Sequence, residues 1–350
     1  MSRKPSAVLA VCAAAALLLS GCGNKATPAG AGSGAAYCNG ASGSITWYTS
    51  LEAATTQPVV RDFQAKCGVK VTVQSVGGSF ALWQRFQQEQ SAGIHKADVI
   101  SIADWGIAEE AVKGDLVGKL PAGILDGYPA EFKDPEGYWF TGRLLTLGLS
   151  YNTSMVSADQ VPKSLQELLD PKWKGKIAVL DPRKNAGGYA WGWQVTHTAG
   201  LGIEWFQKLV AQDPGVFGQS GQLGNALVSG EYALGITTDD QTWLQIKQGA
   251  PLQVTSPSEG SGTNRDQNLL VKSAPNPTGA GAFLGFLASA DGGRVLAEQT
   301  LDYSPLPGVP AYPSGRTPLS GISLLKADLA QQTADKTQLT ATIVATLGLT

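Results

Sequence analysis

The chain has 350 residues, 43% of them hydrophobic and 15% charged, with 43 Gly and 19 Pro, which describes a turn-rich globular protein long enough for two lobes. Its 26 Lys and Arg against 28 Asp and Glu give a formal charge of −2. That balance excludes nucleic acid as a partner, since its binding draws on concentrated Lys and Arg.

Arg3 and Lys4 precede an apolar run from Ala7 to Leu19, too short for a membrane span of roughly 20 residues. The run ends in Leu19-Ser-Gly-Cys22, which reads as a lipobox: residues 1–21 form a lipoprotein signal, and Cys22 becomes the lipidated first mature residue. The expected address is the bacterial cell envelope, outside the plasma membrane. Residues 22–37 read as a flexible tether. With Cys12 removed and Cys22 lipidated, Cys38 and Cys67 remain where disulfides persist. Cys38 precedes the first predicted strand and Cys67 ends the helix running back antiparallel to it. Both then lie at one sheet edge, which predicts a bridge.

Strands over 44–49, 69–76 and 97–102 alternate with helices over 53–66, 79–90 and 105–113, with Ser79 the expected N-cap of the second helix. Residues 143–151 form a long strand suited to a crossover. Beyond it come helices at 164–169, 189–199, 203–212, 221–229 and 241–248, and strands at 176–180, 232–237 and 252–255. Residues 267–272 are the return strand, helices follow at 276–288 and 292–299, and a Pro-rich loop leads to terminal helices. The domain reading is lobe 1 over 38–142 and 268–315, lobe 2 over 143–267, and terminal helices over 316–350. Alternating strands and helices predict α/β lobes with mainly parallel sheets.

This order, with the segments Ile45–Glu52, Ala97–Ile100, Pro171–Ile177, Gly230–Ile236 and Leu270–Pro277, resembles the type II periplasmic binding proteins of ABC importers. The resembling branch holds ferric-ion, phosphonate, sugar-phosphate and polyamine binders. The resemblance implies a two-lobed fold with a ligand cleft between lobes, a small solute or ion as ligand and an ABC permease as partner. It implies no cofactor, and the chain is expected to be a monomer. Where ferric-ion binders of this family carry a Tyr-Tyr pair, Ile236-Thr-Thr-Asp-Asp240 offers Asp239 and Asp240. Leu51 and Glu52 stand where some carry a histidine. Carboxylates are hard oxygen ligands, so a metal remains an open alternative.

In open α/β sheets ligands bind beyond the carboxyl ends of the strands. The loops concerned contain Ser50 and Glu52, Gly78 and Ser79, Asp104 and Trp105, Gly187 and Gly188, and Thr238, Asp239 and Asp240. Helices opening there direct free N–H groups at the cleft and favour an anion such as a phosphonate or sugar phosphate. Glu52, Asp104, Asp239 and Asp240, with Trp105, Trp191, Trp193 and Trp243, argue instead for a cage around an organic cation, for instance a polyamine, or a metal ion. Arg143 and Arg183 are candidates for an anion fork or for pairing with these acids, and Tyr151 for a hinge-side contact. His95 and His197 sit in no catalytic motif, and no nucleophile elbow or Cys/His pair is present. An enzyme is not expected, a carboxylate-pair hydrolase being the remote alternative.

Overall fold

The computed structural model describes residues 36–349. The predicted signal, the lipidation at Cys22 and most of the tether lie outside the described residues. Lobe 1 begins with β1 (Ser44–Thr49), α1 (Ala53–Cys67), β2 (Lys70–Ser75), α2 (Ser79–Ser91), β3 (Val99–Ile102), α3 (Trp105–Lys113) and the short β4 (Val117–Gly118). The chain leaves on β5 (Trp139–Asn152). Lobe 2 follows as β6 (Ile177–Leu180), α4 (Ala186–Thr196), α5 (Gly202–Val210), β7 (Gly215–Phe217), α6 (Ser220–Ser229), β8 (Leu234–Thr238), α7 (Asp239–Lys247) and β9 (Leu252–Thr255). The return strand β10 (Gly262–Val271) leads to α8 (Pro277–Leu287), α9 (Ala290–Thr300) and, after a Pro-rich loop, α10 (Leu329–Thr346).

The strands run in the order β2-β1-β3-β10-β5-β8-β6-β7, with β4 on β10 and β9 on β5. β1 pairs parallel to β2 and β3, and β6 pairs parallel to β7 and β8, so each lobe has its own parallel set. The antiparallel pair β5 and β10 joins them. Its register runs from Trp139 opposite Leu269 in lobe 1 to Leu147 opposite Gly262 towards lobe 2, with a bulge at Asp266 and Gln267.

Period-two alternation explains the packing of lobe 1. Trp47 and Tyr48 are neighbours in β1 and enter opposite cores, the first with Phe63, Phe283 and Phe286, the second with Leu82, Phe86 and Ile107. The core of lobe 2 gathers Trp191, Trp205, Phe206, Leu234 and Ile236. Ile343 of α10 is buried there too, so α10 packs on lobe 2 while also meeting α3 of lobe 1. Cys38 and Cys67 form the expected disulfide with Cα atoms 5.1 Å apart. On the chain-entropy argument the bridge contributes about 3 kcal/mol.

Some elements differ from expectation. Residues 164–169 make only a short 3₁₀ turn, Glu167–Leu169. β10 starts five residues before the expected 267, and the expected terminal helices are one, α10. The short β7 was not anticipated. No helix among the described residues is long and apolar enough to cross a membrane.

Candidate functional site

The carboxyl ends of β1, β2 and β3 in lobe 1 and of β6, β7 and β8 in lobe 2 each lead, through a short loop, into a helix N-terminus. Orphan N–H groups and the positive dipole ends therefore gather at these loops. In lobe 1 the loops brace one another: the Ser75 hydroxyl donates to the Leu51 carbonyl at 2.6 Å, and Ala103 N donates to Ser79 Oγ at 3.2 Å. Ser79 is therefore the first residue of α2 and Gly78 its cap. The Ser79 hydroxyl is drawn to the neighbouring loop rather than to its own helix. In lobe 2, Asn185 caps α4 by accepting from Gly188 N at 3.0 Å, and its amide reaches Ser220 Oγ, at the start of α6, at 3.4 Å.

The four carboxylates do not form a cage. Glu52 precedes α1 on the exposed rim, and its side chain caps nothing. Asp104 is buried, accepts from Ile107 N at 3.2 Å as the cap of α3, and pairs with Lys336 of α10 at 2.8 Å. Asp239 is an internal group: it accepts from Thr146 Oγ1 at 2.6 Å and Gly148 N at 2.8 Å, and lies 3.5 Å from Arg316. Gly148 permits this approach, since a Cβ there would stand 3.1 Å from Asp239 Oδ1 and 2.9 Å from the Thr255 carbonyl. Burial pushes the Asp239 carboxyl above the usual range, against the pull of Arg316. Asp240, one residue on, keeps a different position. Only Gln241 Nε2 reaches its Oδ2, at 3.1 Å, and its buried Oδ1 has no partner. Among the described residues, no three His, Cys, Asp or Glu side chains lie together so as to hold a metal ion.

The tryptophans are likewise spoken for. Trp191 packs edge-on against Trp205 and Phe206 in the core of lobe 2. Trp193 stacks on His197 with ring centres 3.8 Å apart and donates to Asp335 at 2.8 Å. Trp243 faces the guanidinium of Arg316 at 5.6 Å, so its cation position is filled from within. Trp105 meets Trp139 edge-on, and its buried indole N–H has no partner. The organic-cation cage expected from the sequence is thus not assembled.

Further candidates have structural roles. Arg143 is buried between Asp266 at 2.5 Å and Asp302 at 2.6 Å, the bulge in β10 having set Asp266 directly opposite it. Burial alone would lower its pKa, but the two carboxylates hold it above the usual range. One guanidinium does not neutralise two buried acids, and burial pushes Asp302 up to about 7. Tyr151 sits at the lobe-2 end of β5, opposite Leu234, and packs in that core rather than at the hinge. Gly187 and Gly188 are buried. A Cβ on Gly188 would stand 2.8 Å from the Leu180 Cβ, so the glycine serves close packing of α4 on β6. Thr238 is buried at the start of α7 with no side-chain cap bond, and Ser50 is half-buried. Arg183 is exposed and pairs with Asp181 at 2.8 Å.

Lys336, Gln332, Gln267, Asp302 and Arg316 were not expected at or near the cleft. Gln267 and Gln332 line a cavity of about 20 Å³ between the start of α3, α4 and α10, together with Asp104, Trp105 and Tyr189. Lys336 closes it, its ammonium 4.7 Å from the Phe80 ring. Lys336 lies 232 positions from its partner Asp104 and Asp302 lies 159 from Arg143, and no local pattern marks them.

Two parallel-sheet lobes joined by an antiparallel strand pair, with helix N-termini at the facing loops, define a two-lobed solute-binding protein. The chain belongs to the bacterial extracellular solute-binding protein family, whose model matches residues 59–316. It is similar to iron uptake protein A1 of Synechocystis sp., with 27% identity over 285 residues, 76% of this chain and 77% of that one. The fold is similar to iron-bound HitA from Pseudomonas aeruginosa, at a TM-score of 0.74 and 20% identity, covering 86% of this chain and 99% of the other. It is also similar to the Trichodesmium protein IdiA (FutA) in complex with iron and citrate, at a TM-score of 0.72 and 21% identity, covering 88% and 100%. The protein binds solute and is not an enzyme.

Proposed function

We propose that the chain is a lipid-anchored carrier, held through Cys22, that captures ferric iron as an anionic complex with a small polycarboxylate and delivers it to an ABC permease. The observation that carries this reading is the pairing of helix N-termini with few free acids. The N-termini of α2, α4, α6 and α7 favour an anion, while Glu52, exposed, and Asp240, half-buried and bonded only by Gln241, offer a hard carboxylate from each lobe. Bare ferric ion needs more ligands than that, and a bound polycarboxylate supplies them. The likeness to iron uptake protein A1 and to a protein solved with iron and citrate supports the same solute. Closure of the lobes about the β5 and β10 pair gives the permease a liganded form to recognise.

A thermal-shift panel tests this. Ferric citrate at a hundredfold excess over its Kd adds about 2.7 kcal/mol to stability and raises Tm visibly. Citrate alone is expected to give a smaller shift and spermidine none. A shift with a sugar phosphate but not with ferric citrate moves the assignment to an organic phosphate, which the same helix N-termini suit.

A further inference from the structure

A groove of about 970 Å³ adjoins the small interlobe cavity and shares Thr263 and Arg265 with it. Its volume falls at the upper end of the roughly 300–1,000 Å³ of small-molecule sites. The floor is Leu144 of β5 with Thr263 and Arg265 of β10, and the walls include Phe132, Leu306 and Leu325. Both loop walls are tied to the crossing strands. Leu144 and Tyr303 exchange backbone hydrogen bonds at 2.8 and 3.1 Å, and Leu325 N donates to the Ser261 carbonyl at 2.9 Å. Pro305, Pro307 and Pro310 line the groove and fix the backbone of their wall.

Arg265 gives this apolar groove its chemistry. Its Nη1 donates to the Glu131 carbonyl at 2.6 Å and its guanidinium lies 4.9 Å from the Phe132 ring centre. Its Nε is buried without a partner, and it has no ion-pair partner among the described residues. Burial pushes its pKa below the usual arginine range, partly offset by the Glu131 charge. Lys326 is a second cation in the lining and Glu131 its one acid. A half-desolvated cation without a direct ion-pair partner, set among aliphatic and aromatic walls, is complementary to an anion carrying an apolar tail.

We infer that this groove is a second binding site, for an amphipathic monocarboxylate such as a medium-chain fatty acid, whose carboxylate pairs with Arg265 and whose tail lies along Phe132, Leu144 and Leu325. The site is separate from the solute loops, and the inference does not rest on ferric citrate as solute.

The test is calorimetric titration of the full chain with decanoate, decanol and decylammonium. Decanoate is expected to bind at one site, at least about tenfold tighter than decanol, because a charge-assisted hydrogen bond is lost with the alcohol. Decylammonium is expected to bind no better than decanol. Arg265→Gln brings decanoate down to the decanol level. Val309→Asp, on the loop wall away from the crossing strands, weakens decanoate and decanol alike and leaves ferric citrate binding unchanged. Failure of decanoate to bind the folded wild-type chain overturns the site. So does a carboxylate preference that persists in Arg265→Gln, or displacement of decanoate by ferric citrate in direct competition.

Discussion

The crossing strands and the cleft rim both carry acids beside helices, yet they use them in opposite ways. At the crossing, Arg143 ties Asp266 and Asp302, and Arg316 meets Asp239, all of them buried. On the rim, Glu52 caps nothing and Asp240 leaves an oxygen without a partner. Asp239 and Asp240 are adjacent in the chain and fall on either side of this division. A charge satisfied within the fold stabilises it and is withheld from solute, whereas a charge left open is available to one.

Substitutions at the crossing should therefore register in stability and those on the rim in binding. The largest effect is expected for Arg143→Met, which strands Asp266 and Asp302 as uncompensated buried acids and costs about 3–5 kcal/mol in urea unfolding. Glu52→Gln should stay within about 0.5 kcal/mol. The adjacent pair sharpens the contrast. Asp239→Ala leaves Thr146, Gly148 N and Arg316 short of a partner and should cost about 2–3 kcal/mol. Asp240→Ala should cost about 0.5 kcal/mol, the worth of one acid in a first helical turn. Equal losses for the two would erase the division.

The same buried acids set a pH dependence. Burial raises Asp302 to about 7, above its unfolded value of about 3.9, so between these values the folded state holds more protons than the unfolded one. Its contribution to stability is thus present at low pH and falls as pH rises from about 4 to about 7. Asp302→Asn should flatten that segment of a stability profile measured against wild type.

Much of lobe 1 was legible because β1 and α1 bury one residue set by simple periodicity, Trp47 and Tyr48 on alternate faces and Val59, Val60 and Phe63 on one helix side. The start of β10 was not. Gly262-Thr-Asn-Arg-Asp266 is a polar run, since it crosses between lobes instead of covering a core, and alternation gives no sign of it. The site was legible only as a set of loops. What separates Asp239 from Asp240 is the hydroxyl of Thr146 and the N–H of Gly148, more than ninety residues earlier in the chain, and nothing local distinguishes the two acids. Asp104 looked open for the same reason, its partner Lys336 lying on the terminal helix.

Equilibrium dialysis of radiolabelled ferric citrate against wild type, Asp239→Asn and Asp240→Asn addresses the central claim, that rim oxygens and helix N-termini together hold an anionic iron complex. The expected result is one saturable site in wild type, weakened about tenfold or more by Asp240→Asn and far less by a folded Asp239→Asn. No saturable binding in wild type, or identical affinity in Asp240→Asn, would contradict it.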